Sequence, residues 1–357
     1  MVTLTKSSDP EPAPGSKRNW PLVSILIVNY NGAEVLPGCL DSLRKITYPR
    51  FDVLVVDNAS ADASLDLLKG YPEAKVIRSG SNRGFTGGNN LGLTSCHGDY
   101  VLLLNSDTVV TPGFLEPLVE YLDSHRQVGI VQPKMLLSRH GNALDVCGSF
   151  LTALGFLYHY GYWKADSAKY DHDHAAFSLK GACFMFRREL VAAAGGYLFN
   201  EDFFCYYEET DFCHRAWLAG FESHFVHNSK IEHLQGATSE RTQASGFALR
   251  QYLTNQTFGL LANLSTGSLL RIMPLYILVF FASMAAAAVT GKREVLGAHW
   301  HAIVHNARRV GKIRAQRRLV RSIRKVSDRE LFRKVMKTPR LDYFLKTFQE
   351  KLSEYVD

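Results

Sequence analysis

From residue 22 onward the chain alternates short aliphatic runs with stretches whose apolar residues recur at helical spacing. "LVSILIV" (22–28), "FDVLVVD" (51–57), "AKVIRS" (74–79) and "YVLLLN" (100–105) read as strands. Between the first two, Val35, Leu36, Leu40 and Leu43 fall on one helical face, and "ADASLDLLK" reads as a second helix. Nearly continuous apolar strands separated by helices predict a mainly parallel sheet covered on both faces. Ligands of such sheets bind beyond the carboxyl ends of the strands. Those ends read Asn29-Tyr30-Asn31, Asp57-Asn58 and Asn105-Ser106-Asp107, all polar, and they should converge on one crevice.

The rhythm changes after about residue 140. "SLKGACFMFRREL" reads as a core strand entering a short helix. In "NEDFFCYYEETDFCHRAWLAG", Asp211, Phe212, Arg215, Ala216 and Trp217 mark the first turns of another helix. "ESHFVHNSKIEHLQGATS" is a strand followed by a polar loop. The stretch 139–178, rich in aromatic residues and histidine, fits an acceptor-site wall and a plain surface loop equally well. Residues 269–290 are strongly apolar, and a basic tail follows.

With 357 residues, 46% hydrophobic and 11% aromatic, the chain can build a large core, which excludes wholesale disorder. The first twenty residues are Pro-, Ser- and charge-rich without periodicity; they read as a flexible leader lacking the apolar run of a secretory signal. Six cysteines without a CxxC pair read as reduced, mostly buried thiols. The net charge of +7 is uneven: residues 291–357 hold 18 Lys and Arg against 7 Asp and Glu, so the rest is slightly acidic. The basic balance therefore concerns the tail's partner only.

Three motifs carry candidate chemistry. "SNRGFTGGNNLGL" (81–93) could bring backbone N–H groups to phosphates, but its spacing fits neither GxGxxG nor a P-loop. A simple strand-to-helix turn explains it as well. "YEETDFCHR" places Glu208, Glu209 and Asp211 at a helix start, where acids are favoured by the helix dipole. The functional reading is a carboxylate general base, its pKa raised by burial and like-charge neighbours. His233, in "IEHLQG", gains weight only from its surroundings.

In order and spacing, "VSILIVNYNG", "VLVVDNAS", "NRGFTGGNNLG", "LLLNSDT", "YEETDFCHR" and the later histidine resemble family 2 glycosyltransferases with the GT-A fold. The likeness is strongest to bacterial members that add rhamnose or related sugars and often carry Asn-x-Asp for Asp-x-Asp. It implies a nucleotide-diphospho-sugar transferase fold, a mixed, mainly parallel sheet flanked by helices, with a C-terminal helical region. It also implies that Asp57 holds the base and ribose of a dTDP- or UDP-sugar, beside Asn29 and Asn31. Asn58, Asn82, Gly84, Asn89, Asn105 and Ser106 would line the nucleotide crevice. Asp107, with His233 as second protein ligand, would hold Mn2+ or Mg2+ on the diphosphate. Glu209 would be the catalytic base, with Glu208 its rival and Asp211 and Arg215 in support. Substrate phosphates and water supply most ligands of such a cation, so Asn105 in place of an aspartate weakens the site without abolishing it. The imidazole favours Mn2+.

The expected organisation is a leader (1–20), a catalytic domain (21–262) and an apolar, then basic helical region (263–357). The apolar run approaches bilayer-spanning length. A single span would export the basic tail from the cytosolic side where nucleotide sugars reside, against the positive-inside tendency. Pro274 and the alanine-rich second half suit a helix lying in the interface or packed against the catalytic domain. Val310, Ile313, Leu319, Val320 and Ile323 among the basic residues 308–325 read as an amphipathic helix facing an anionic cytoplasmic leaflet. A nucleic-acid role lacks aromatic or motif support. The expected reaction is inverting, metal-assisted transfer of a sugar to a hydroxyl of a lipid-linked or cell-surface glycan. The competing readings are a non-catalytic nucleotide- or glycan-binding relative and a nucleotidyltransferase. The latter lacks its Lys-containing pyrophosphate loop in "NYNGAEVLPGC".

Overall fold

The computed structural model describes residues 19–234, 246–348 and 355. The leader up to residue 18 and the polar loop after residue 234 lie outside the described residues. The first half alternates as its pattern predicts: β1 (Val23–Asn29), α1 (Leu36–Leu43), β2 (Phe51–Asp57), α2 (Ser64–Leu67), β3 (Ala74–Arg78), α3 (Gly84–Leu93) and β4 (Tyr100–Asn105). Strand β1 pairs in parallel with β2 and β4, and β2 in parallel with β3. The register sets Asn29 opposite Asp57 and Val28 opposite Asn105, so the three polar strand ends coincide. The glycines after residue 81 open and line a helix. They lie within α3, where added Cβ atoms would fall 2.6 Å from Val28 at Gly88 and 2.2 Å from Leu26 at Gly92. Their smallness lets α3 press onto β1.

The chain continues through β5 (Thr108–Val110), α4 (Leu115–Ser124), β6 (Val128–Leu137), β7 (Ala143–Leu144), β8 (Ser149–Leu151), β9 (Leu157–His159), β10 (His174–Ala176), β11 (Cys183–Arg187), α5 (Leu190–Ala193), α6 (Glu208–Leu218) and β12 (Glu222–His233). The main sheet runs β10-β12-β6-β11-β4-β1-β2-β3, with β5 on β12 and β7 on β6. Strand β11 is antiparallel to both β4 and β6, which makes the sheet mixed. Strand β12 runs parallel to β6 and pairs its last residues with β5, setting His233 opposite Thr108. The stretch 139–178 is no surface loop. Phe150, Tyr158 and Phe177 are buried, and the sheathed Lys134 ammonium binds Asp166 at 2.6 Å and Asp171 at 2.5 Å.

The C-terminal helices are α7 (Phe247–Asn263), α8 (Thr266–Val289), α9 (Arg293–Arg308), α10 (Val310–Ile323), α11 (Asp328–Val335) and α12 (Leu341–Phe348). One apolar cluster joins them to Phe150, Phe177, Phe203, Tyr207 and Trp217, so residues on both sides of 262 share a core. The amphipathic reading of 308–325 needs correction. Ile313 and Val320 of α10 are buried in the protein and Leu319 and Ile323 are half-buried, so of that stripe Val310 alone is exposed and most of it is already covered. Arg314, Arg318 and Arg321 face outward, while Arg317 turns back and donates to Leu264 O at 2.9 Å. All six cysteines are free thiols, and all but Cys205 are buried.

Candidate active site

The crevice floor is the row of strand ends. Asn29 and Asp57 are almost fully buried, and each leaves one oxygen, Oδ1, without a hydrogen-bond partner. A buried acceptor left unpaired is costly, and these two stand side by side at the sheet edge where ligands of such sheets bind. Their other atoms brace the next loop: Asn29 Nδ2 donates to Ser60 Oγ at 3.2 Å, and Ser60 N donates to Asp57 Oδ2 at 3.2 Å. Asn31, in left-handed backbone at φ 51°, accepts from Ala61 N at 2.7 Å.

Asn58 and Asn82 form a staple rather than an open ligand wall. Asn58 Nδ2 donates to Asn82 Oδ1 at 3.1 Å and to Gly84 O at 2.9 Å, while Asn58 Oδ1 accepts from Arg83 N at 3.0 Å. Gly84 has φ 68°, and a Cβ there would meet Phe204 O at 2.2 Å. The staple thus ties α3 to the segment that leads into the acid cluster. Asn89 is buried and bonds back to Phe85 O at 2.9 Å in its own helix, so it is a packing residue of α3. Asn105 and Ser106 are half-buried at the end of β4.

Beyond them, β5 and β12 bring Asp107 and His233 together, with Asp107 Oδ1 3.5 Å from His233 Nε2. His233 Nδ1 donates to Asp145 Oδ2 at 2.7 Å, and Lys180 Nζ lies 3.5 Å from Asp145 Oδ1. Burial opposes a charged His233, but Asp107 and Asp145 override it and raise its pKa to about 9. Burial likewise opposes charge on Asp145, yet Lys180 and His233 hold its carboxyl well below the usual range. Asp145 in turn holds the Lys180 ammonium above its ordinary value. A cation carried in by a diphosphate would take the place of the proton that His233 Nε2 holds toward Asp107. A carboxylate and an imidazole face each other, and the second imidazole nitrogen is oriented by a buried carboxylate. Among the described residues no cluster of three or more His, Cys, Asp or Glu is arranged to hold a metal, so the remaining ligands must come from substrate and water.

Sequence reasoning missed Asp145 and Lys180. Each is a lone charge in an apolar run, "ALDVC" and "SLKGACF", and a buried charge requires a partner. That was the available signal, but the partners are remote in the chain. His159 and Tyr162, from the same missed region, lie within reach of this pair. Burial, then the Lys180 charge, lowers His159 to about 4.

The acid pair opens α6. Two bulky residues, Tyr206 and Tyr207, precede it in left-handed backbone at φ 67° and 76°. Such a pair is strained and persists only where surroundings impose it. Asn255 of α7 does so by donating to Cys205 O at 3.1 Å and Tyr206 O at 2.8 Å. Glu208 is turned inward, with Oε2 lacking a partner. Glu209 is half-buried, 3.7 Å from where a Cβ on Gly181 would stand. Burial raises both pKa values, and the Glu209 charge raises Glu208 further, while Lys180 partly offsets the shift at Glu209. Of the two, the inner carboxyl of Glu208 is driven further toward its neutral form.

Asp211 and Arg215 form a fully buried ion pair at 2.8 Å. Asn263 Nδ2 and Gln316 Nε2 donate to Asp211 Oδ1 at 2.7 and 3.0 Å, and Arg215 Nη1 donates to Ala194 O at 2.6 Å. The pair fixes α6 against the C-terminal helices and does not face the crevice.

The Glycosyl transferase family 2 profile matches residues 24–192. A low-salt glycan biosynthesis hexosyltransferase of Haloferax volcanii is 31% identical over 204 residues, covering 54% of this chain and 61% of that protein. A succinoglycan biosynthesis protein of Rhizobium meliloti is 31% identical over 106 residues, covering 29% of this chain and 30% of its own length. The chain thus spans less than two thirds of either relative. The crystal structure of GalNAc-T7 with UDP, GalNAc and Mn2+ superposes with a TM-score of 0.56 at 16% identity, over 70% of this chain and 49% of that one, a likeness of fold. The ordered strand-end motifs, the mixed sheet and the matched segment agree: residues 24–192 match glycosyl transferase family 2, and the fold is of the GT-A type.

Proposed function

We propose that the protein transfers a sugar, rhamnose or a related hexose, from a dTDP- or UDP-linked donor to a hydroxyl of a lipid-linked or cell-surface glycan, with inversion. One observation carries the reading: beyond the strand ends where Asn29 and Asp57 leave acceptors unpaired, Asp107, His233, Asp145 and Lys180 form one chain of contacts whose Lys180 charge acts on the half-buried Glu209. The Asp57 and Asn29 oxygens take donors from the base and ribose. Lys180 supplies positive charge on the diphosphate side while Asp145 keeps it in place. Glu209 removes the proton of the acceptor hydroxyl as that oxygen attacks the anomeric carbon from the face opposite the leaving diphosphate. Glu208, neutral beside it, spares the site a second negative charge.

Mn2+ or Mg2+ held by Asp107 and His233 would neutralise the departing diphosphate. The proposed location is the cytoplasmic face of the membrane, where nucleotide sugars and lipid-carried acceptors meet. The Haloferax relative is named a glycan biosynthesis hexosyltransferase and GalNAc-T7 was crystallised with UDP and Mn2+, which supports this chemistry.

The test is a thermal-shift titration with UDP, dTDP, GDP and CDP, each with and without Mn2+, followed by transfer assays with the matching labelled nucleotide sugars. A ligand of the folded state adds about 2.7 kcal/mol at a hundredfold excess over Kd. Stabilisation by UDP or dTDP that requires Mn2+ and vanishes in Asp107→Ala is the expected result. No response to any nucleotide would overturn the proposal.

A further inference from the structure

Helix α8 has two unlike faces. Ile272, Tyr276 and Phe280 point inward at helical spacing and are at most 5% exposed. The opposite face shows Leu270 at 75%, Leu278 at 66%, Phe281 at 52% and Val289 at 88% exposure, with Leu275 and Ile277 between them. An apolar strip of this length is not left to water without a partner. Its charge pattern identifies the partner. No Asp or Glu occurs from residue 266 to 293, while exposed Arg271 stands near one end and exposed Lys292 and Arg293 at the other.

We propose that the outward face of α8 lies in the plane of an anionic lipid bilayer at headgroup depth, and that this face, not α10, seats the protein on the membrane. The inference rests on the membrane address proposed above and on no part of the chemistry. By length and composition α8 could cross a bilayer, but its inner side is committed to the protein. The Tyr276 and Thr257 hydroxyls share a hydrogen bond at 2.8 Å, Phe156 lies 5.0 Å from the Tyr276 ring, and Phe280 stands edge-on to His299 at 4.6 Å. Spanning would strip these contacts from the core, whereas lying flat keeps them and buries only the free side. Apolar insertion with basic flanks is how in-plane helices hold to anionic lipid.

The test is cosedimentation of the full chain with phosphatidylcholine vesicles, with and without phosphatidylglycerol, comparing wild type, L278E/F281E and R271Q/K292Q/R293Q. Both variants change exposed residues, and nucleotide binding with unchanged far-UV circular dichroism checks their folding. Wild type should bind anionic vesicles and release on alkaline washing, and L278E/F281E should lose at least about tenfold in partitioning. The charge variant should lose its preference for phosphatidylglycerol. The fluorescence that Leu278→Trp adds to that of the four native tryptophans should be quenched by lipids brominated near the headgroup and not by those brominated at the chain ends. Equal binding by wild type and L278E/F281E would overturn this face while leaving the membrane address standing. No binding by wild type would overturn both. Resistance to alkaline washing with deep quenching would overturn the in-plane geometry. A wild-type dimer by light scattering that L278E/F281E dissolves would assign the face to a second copy.

Discussion

Glu208 and Glu209 are neighbours in the chain, directly after the left-handed Tyr206-Tyr207 turn, yet Glu208 is buried and Glu209 only half-buried. Glu209→Gln should lower kcat by about a thousandfold, within the range of a lost general base, while nucleotide affinity stays within about twofold. Glu208→Gln keeps the neutral, hydrogen-bonding character of a protonated carboxyl and should retain activity within about tenfold of wild type. Steady-state kinetics on both variants separates the two acids, and the reverse ranking would reassign the base. Asp145 acts through His233. Asp145→Asn should weaken Mn2+ affinity about 10–100-fold, as measured by the Mn2+ dependence of nucleotide-induced stabilisation. Asp107, His233 and the acid pair were legible in the sequence because each closes or opens a patterned element. Asp145 was not, since its partner His233 lies 88 residues away.

At the scale of elements, α7 determines how α6 presents its acids. Gly259 of α7 lies so close to Tyr207 that a Cβ would come within 2.7 Å of the ring. Gly259→Val should cost about 1–3 kcal/mol in urea unfolding and reduce kcat with little change in nucleotide affinity, because the overpacked turn displaces the acids but not the strand ends. Equal losses in both would show that α7 supports the whole crevice. The glycines of α3 illustrate the limit of motif reading: their number left a phosphate turn and a plain strand-to-helix turn open, and the sheet behind them uses their missing side chains. Helix α10 does the same for amphipathicity. Periodicity marks an apolar side, and only packing tells whether protein or lipid covers it.

Across the molecule, the catalytic sheet and C-terminal helices are joined through buried polar groups as well as apolar ones. His214 of α6 is 1% exposed and its Nε2 has no hydrogen-bond partner. Burial lowers its pKa to about 4, against the pull of Asp328 and with the push of Arg324. Its folded pKa lies below the unfolded value of 6.5, so the unfolded chain binds a proton first as pH falls. Stability should be unaffected by this group above pH 6.5, decline between 6.5 and about 4, and level off below that. The expected loss is up to about 3 kcal/mol. Urea midpoints across that window check it, and His214→Phe should flatten this part of the profile.

The sequence by itself determined the strand–helix alternation, the polar strand ends, the order of the acid cluster and His233, and the presence of a long apolar helix before a basic tail. These are properties of neighbours in the chain, written in periodicities of two and 3.6 residues. Tertiary structure alone decided which acid is buried deeper and which lone charges, Asp145 and Lys180, join His233. It also decided which apolar faces are already covered and which, on α8, remain open. Those outcomes depend on burial and on pairing between distant residues, where the cost of an unpaired charge or an uncovered surface is set by the whole fold.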